Sequence, residues 1–141
     1  MSGVYTLLYT GRLRPDHPDH PGSMCRHVRP CPALSQTWLD TSCLGHLESM
    51  HYTLHKEEPL FTNKTNRFSG CLDYVWHTPA HFTVVSSLPL PYSGEAAAAR
   101  FPAIPNQDYP SDHLAMGCTL QLKPVDAGQP PVSAAAAAPC L

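Results

Sequence analysis

Asp73 stands in the middle of an apolar, β-prone run, Ser69-Gly70-Cys71-Leu72-Asp73-Tyr74-Val75-Trp76-His77-Thr78. A strand interior is a costly place for a carboxylate without a partner or a task. Pro110-Ser111-Asp112-His113-Leu114 repeats the anomaly at the mouth of another β-like run. Two acids and a histidine at the ends of neighbouring strands can handle a phosphate and a metal. A carboxylate oxygen suits a hard cation such as Mg²⁺, which activates water and offsets charge on a phosphodiester. A histidine held in one tautomer by a carboxylate can hydrogen-bond the same phosphate. In that arrangement Asp73 orients His113, and Asp112 lies on the metal side. The plainer alternative makes Asp73 a satisfied structural acid and Ser111-Asp112 a turn or cap.

A second cluster, Asp16-His17-Pro18-Asp19-His20, also carries ligand types. Its spacing matches no metal pattern, and Asp- and Pro-rich clusters mainly make turns, so a surface turn is expected. A small zinc protein built on the His and Cys residues of 16–31 is the competing reading. Six cysteines, Cys25, Cys31, Cys43, Cys71, Cys118 and Cys140, include no close CxxC pair. Without a signal peptide ahead of them they read as reduced thiols of an intracellular protein, in cytoplasm or nucleus, two of them inside strands. The sequon Asn63-Lys64-Thr65 is then irrelevant to glycosylation.

The bulk properties set limits. No apolar run approaches the ~20 residues of a membrane span, so no membrane partner is expected. A net charge of −2 gives no basic footprint for nucleic acid. If RNA is the substrate, cations must supply the positive charge. Sixteen prolines in 141 residues, roughly twice ordinary usage, call for short elements and many loops.

Several elements must position the acids and the histidine. Residues 2–11 read as a short helix, with Ser2 as N-cap, Gly11 as stop, and Val4, Leu7 and Leu8 in one apolar stripe. Residues 12–33 are turn-rich, and residues 34–58 have weak periodicity. Leu60-Phe61-Thr62-Asn63 is a short β-like run. A strand over 71–77 places Cys71, Asp73 and Val75 on one face and Leu72, Tyr74 and Trp76 on the other. Phe82–Leu88 is a second strand, paired or adjacent to the first across the Pro79 connection. Residues 89–110 form a Pro- and Ala-rich connection in which Ala96–Ala99 makes one helical turn or stays irregular. The clearest alternation is Leu114, Met116, Cys118, Leu120 and Leu122 against Ala115, Gly117, Thr119, Gln121 and Lys123, a strand with one buried face. Residues 1–123 are the expected domain. Residues 124–141, rich in Pro and Ala, are the expected disordered tail.

Glu58-Pro59-Leu60-Phe61-Thr62-Asn63, then Phe68-Ser69-Gly70-Cys71-Leu72-Asp73-Tyr74-Val75-Trp76, then Pro110-Ser111-Asp112-His113-Leu114 together resemble the C-terminal signature of the endonuclease/exonuclease/phosphatase superfamily. The nearer resemblance is to its carbon catabolite repressor-type deadenylase branch, which includes the nocturnin and angel proteins. The helix over 2–11 and the His17-Pro18-Asp19 turn are similar to the segment after that family's Gly-Asp-Phe-Asn motif. The resemblance covers roughly 2–123, loosely over 22–56. It implies an α/β fold, the C-terminal part of a two-sheet β-sandwich flanked by helices. It also implies a Mg²⁺-dependent 3′→5′ exoribonuclease acting on poly(A), with subunits of an mRNA-decay complex as partners. Asp73, Asp112 and His113 would be catalytic, Asp112 would also face the metal, and Asn63 would contact substrate. The family's metal-binding Glu and its Gly-Asp-Phe-Asn motif have no counterpart in these 141 residues, so the site and the sandwich are expected to be incomplete and the chain inactive alone. The alternative from another class is a non-catalytic RNA- or protein-binding remnant.

Overall fold

The computed structural model describes residues 2–24 and 37–124. It is mixed α/β, with short helices and two-stranded antiparallel sheets. The described residues fall into two compact units, one within Met1–Glu48, Thr78–His81 and Lys123–Leu141, the other Ser49–His77 and Phe82–Leu122. The predicted tail beyond residue 124, and Cys25, Cys31 and Cys140, lie outside the described residues.

The first unit opens with α1 (Gly3–Thr10), started and stopped as its sequence predicts. The Ser2 hydroxyl accepts the Tyr5 N–H at 3.2 Å, and Gly11 takes the left-handed conformation at φ 77° that a side chain would resist. The apolar stripe is different from the expected one: Tyr5 is buried and Val4 exposed. β1 (Arg12–Leu13) pairs antiparallel with β2 (Leu39–Asp40), and α2 (Pro21–Met24) follows the proline-rich turn. That turn is tied down, because the Asp19 carboxylate accepts the Gly3 N–H at 2.7 Å. His20 is fully buried, with Nδ1 accepting the Gly22 N–H, so the expected surface turn sends its last histidine inward. Among the described residues no group of three or more His, Cys, Asp or Glu side chains is placed to hold a metal. The two-residue strand β3 (Glu48–Ser49) lies where the chain passes into the second unit.

The second unit contains α3 (Met50–His55), β4 (Asn63–Lys64), β5 (Ser69–Gly70), β6 (Trp76–His77), β7 (Phe82–Ser87), α4 (Gly94–Arg100) and β8 (Cys118–Leu122). Its core is Phe61, Ala98, Ile104 and Leu114, flanked by Leu90, Tyr92, Phe101 and Tyr109. Phe61 stacks on Tyr92 at 4.3 Å between ring centroids and meets Phe101 at 5.5 Å. The alanine run forms a whole helix, with Glu95 in its first turn and Arg100 in its last, each opposing the helix dipole. Ala98 turns into the core, and the Lys64 ammonium donates to the Ala98 carbonyl at 2.7 Å, occupying a carbonyl near the helix end.

Three strand expectations need correction. Residues 71–75 are irregular between β5 and β6, so the predicted two-faced strand does not form. Their backbone bonds to a side chain instead: the Leu72 and Asp73 N–H groups both donate to the buried Thr62 hydroxyl. β7 does not pair with 71–77. It pairs antiparallel with β8, Phe82 opposite Leu122 and Val84 opposite Leu120, with an irregularity between Val84 and Ser86. Finally, the strand expected over 114–122 forms only over Cys118–Leu122, and the apolar face expected to be buried is largely open. Leu114 is buried, but Leu120 and Leu122 are 37% and 66% exposed, because a two-stranded ladder offers little to cover them.

Phe61→Ala should cost about 3–5 kcal/mol, the usual effect of emptying an aromatic site in a core. Urea denaturation of the whole chain measures it. A loss under about 1 kcal/mol would place the stabilising core elsewhere.

Candidate active site

The stretch Phe61–Asn63 runs through the second unit with all three side chains buried. Phe61 enters the core, Thr62 is fully enclosed, and Asn63 opens β4, which pairs with β5 so that Asn63 faces Gly70. On its other side Asn63 forms an antiparallel bridge with His113. The Leu114 N–H donates to the Thr62 carbonyl at 2.7 Å, and the Thr62 N–H donates to the Gly70 carbonyl at 3.0 Å. One strand therefore carries the Asp73 segment on one edge and the Asp112-His113 segment on the other.

This arrangement brings the sequence-predicted residues together. His113 Nδ1 lies 2.7 Å from Asp73 Oδ2, across 40 residues of chain. An ionised carboxylate only accepts, so Nδ1 carries the proton and donates. In the neutral ring Nε2 is then the acceptor nitrogen. Both side chains are part-exposed, at 40% for His113 and 36% for Asp73. The Ser111 hydroxyl accepts the His113 N–H at 3.0 Å, the Ser-Asp-His turn closing on itself. Asn63 Nδ2 lies 3.4 Å from Asp112 Oδ2, a long contact to an exposed carboxylate. Asp73, Asp112, His113 and Asn63 thus share one neighbourhood.

The electrostatics follow from that geometry. The hydrogen bond to Asp73 holds the His113 pKa above the ordinary histidine value, and the negative charges of Asp73 and Asp112 act in the same direction. Beside the pair, burial pushes the Cys71 thiol and the Tyr74 hydroxyl upward, so neither ionises near neutrality. Tyr74 donates back to the Cys71 carbonyl at 3.0 Å. That bond closes the turn around Asp73. The arrangement presents a histidine of raised basicity and a separate carboxylate, suited to hold an anionic oxygen and face a cation. Sequence reasoning missed Thr62 and Ser111, the two hydroxyls that shape the backbone on either side. The signal for Thr62 was its place between Phe61 and Asn63 in a short β-like run.

His113 should titrate above about 6.5 in two-dimensional NMR, and its midpoint should fall back toward that value in Asp73→Asn. A histidine with a raised folded-state pKa adds stability that is fully present below the unfolded value. That stability is lost as pH rises through the folded-state value. The difference in stability between wild type and Asp73→Asn should therefore shrink from pH 6 toward pH 9. An unchanged midpoint in Asp73→Asn would break the link.

No protein-family model matches the chain. Individual relatives do. Over 134 residues it is 31% identical to Carbon catabolite repressor protein 4 homolog 1 of Arabidopsis thaliana, covering 87% of this chain and 22% of that protein. It is 38% identical over 122 residues to 2′,5′-phosphodiesterase 12 of Homo sapiens, covering 86% and 18%. It is 30% identical over 125 residues to the CCR4-Not complex 3′-5′-exoribonuclease subunit Ccr4 of Coccidioides immitis, covering 86% and 14%. The chain spans about a fifth of the length of the first of these relatives and less of the other two. With matches of this kind over most of its residues, the chain belongs to the carbon catabolite repressor-type deadenylase branch of the endonuclease/exonuclease/phosphatase superfamily.

Proposed function

We propose that this chain carries the histidine–aspartate half of a Mg²⁺-dependent 3′→5′ exoribonuclease site for poly(A), corresponding to the C-terminal part of a two-sheet sandwich. The 2.7 Å contact between His113 Nδ1 and Asp73 Oδ2, with Asp112 and Asn63 beside it, is the observation that carries the reading. The names of the relatives support it, since they include a 3′-5′-exoribonuclease subunit of the CCR4-Not complex and a 2′,5′-phosphodiesterase. RNA is then the substrate, subunits of an mRNA-decay complex are the partners, and the setting is intracellular, in cytoplasm or nucleus.

The roles follow from the chemistry of each group. Asp73 fixes the His113 ring and stabilises its protonated form. His113, through Nε2–H, donates to a non-bridging phosphate oxygen and opposes its charge. Asn63 lies beside the Asp112 carboxylate, the hard oxygen donor that would meet a divalent cation. A bound Mg²⁺ would supply positive charge beside the phosphate and lower the pKa of a water. Asp112 is one arm of such a site. No group of three or more His, Cys, Asp or Glu ligands stands among the described residues, so substrate oxygens and water would have to complete the ion's surroundings. For that reason the chain alone is expected to bind adenylate RNA without shortening it. The same shortage of ligands favours the second reading, a non-catalytic RNA- or protein-binding module.

Titrating the chain with oligoadenylate and Mg²⁺ should shift the NMR signals of Asn63, Asp112 and His113. An unmoved His113 ring would overturn the proposed site. In parallel, the chain should leave a labelled poly(A) oligomer intact. Shortening that disappears in His113→Ala would overturn the claim of inactivity and establish catalysis by these residues.

A further inference from the structure

Asp73 and His113 belong to segments that the chain itself does not align. Asp73 sits in irregular backbone between β5 and β6, where no strand ladder holds it. His113 follows an exposed Ser-Asp turn. Thr62 touches both segments. Thr62 is fully buried, and its Oγ1 accepts two consecutive backbone donors, Leu72 N–H at 2.9 Å and Asp73 N–H at 3.0 Å. Its carbonyl accepts the Leu114 N–H at 2.7 Å, the peptide directly after His113. Its own N–H completes the set with the Gly70 carbonyl.

We propose that Thr62 is the positioning residue of the Asp73–His113 pair: its hydroxyl sets where Asp73 stands, and its peptide sets where His113 stands. The inference rests on reading that pair as the phosphate-facing part of the site. The hydroxyl suits the place because its two lone pairs accept two adjacent N–H groups at one point, whereas a strand ladder would pair alternate residues. The side chain is also β-branched and fully buried, with restricted χ1. Valine keeps that shape and removes the acceptor, leaving both amides unsatisfied and the Asp73 backbone free to shift. Serine keeps the acceptor and removes a methyl group. A displacement of about 1 Å is enough to break a contact that depends on close approach.

The test reads the tautomer of the His113 ring by ¹⁵N NMR, at a pH where the ring is neutral, in the whole chain without RNA or metal. Wild type and Thr62→Ser should show the proton on Nδ1. Thr62→Val, folded by circular dichroism, should lose that preference as Asp73→Asn does. Retention of the Nδ1 proton in Thr62→Val would overturn the proposal, and so would its loss in Thr62→Ser. Should Thr62→Val fail to fold, amide exchange in the unaltered chain decides. Leu72 and Asp73 amides slowed by about tenfold or more against unstructured rates support the clamp, and unprotected amides sink it. A failed RNA titration would remove the phosphodiesterase reading and leave these measurements standing.

Discussion

A stretch of backbone buried on both sides must find a partner for every polar group it carries, and Phe61–Asn63 is such a stretch. The Tyr92 hydroxyl serves Phe61 twice, accepting its N–H at 3.1 Å and donating to its carbonyl at 2.6 Å. Gly70 and Leu114 satisfy the Thr62 peptide, and the Lys64 carbonyl accepts the Ile104 N–H at 2.7 Å. Four distant parts of the chain are therefore drawn to one strand by hydrogen-bonding need. The aromatic cluster around Phe61 makes that burial favourable by removing large apolar surfaces from water. The same burial leaves Asn63 at the edge where polar chemistry begins.

Core and site differ in how they use water. Phe61, Ile104 and Leu114 are nearly fully enclosed, whereas His113 and Asp73 stay part-exposed. An ion pair that open to solvent adds little to stability. Its value lies in fixing a tautomer and raising the basicity of a group that can meet an anion. A chain with a net charge of −2 has no broad positive field of its own. The exposed Asp112 carboxylate lies 3.4 Å from the Asn63 amide.

The β7–β8 ladder follows another logic. Its backbone groups are paired, yet Val85, Leu88, Leu120 and Leu122 remain exposed. Two strands satisfy each other's hydrogen bonds whether or not a face is covered, and here only part of one face is, with Val84 buried. Pairing and burial are separate requirements, and the second is met only in part.

Local signals were legible in the amino acids alone. The Ser2 cap and Gly11 stop bound α1, the apolar and β-branched residues of 82–88 and the alternation of 114–122 marked two strands, and the motifs around Asn63, Asp73 and Asp112-His113 carried the family. Each depends on neighbours in sequence, on period or on residue type, which is why it can be read there. The alternation still overstated β8, since pattern records apolarity and not whether a second layer covers it. Tertiary structure alone decided the rest. Residues 71–75 look like a strand by propensity, but two of their amides turn to the Thr62 hydroxyl, a partner ten residues away that no pattern specifies. His20 goes inward because the turn around it is tied to the start of α1 by Asp19. The 2.7 Å meeting of His113 with Asp73 requires both segments to lie beside one buried strand, and that depends on which distant groups satisfy its backbone.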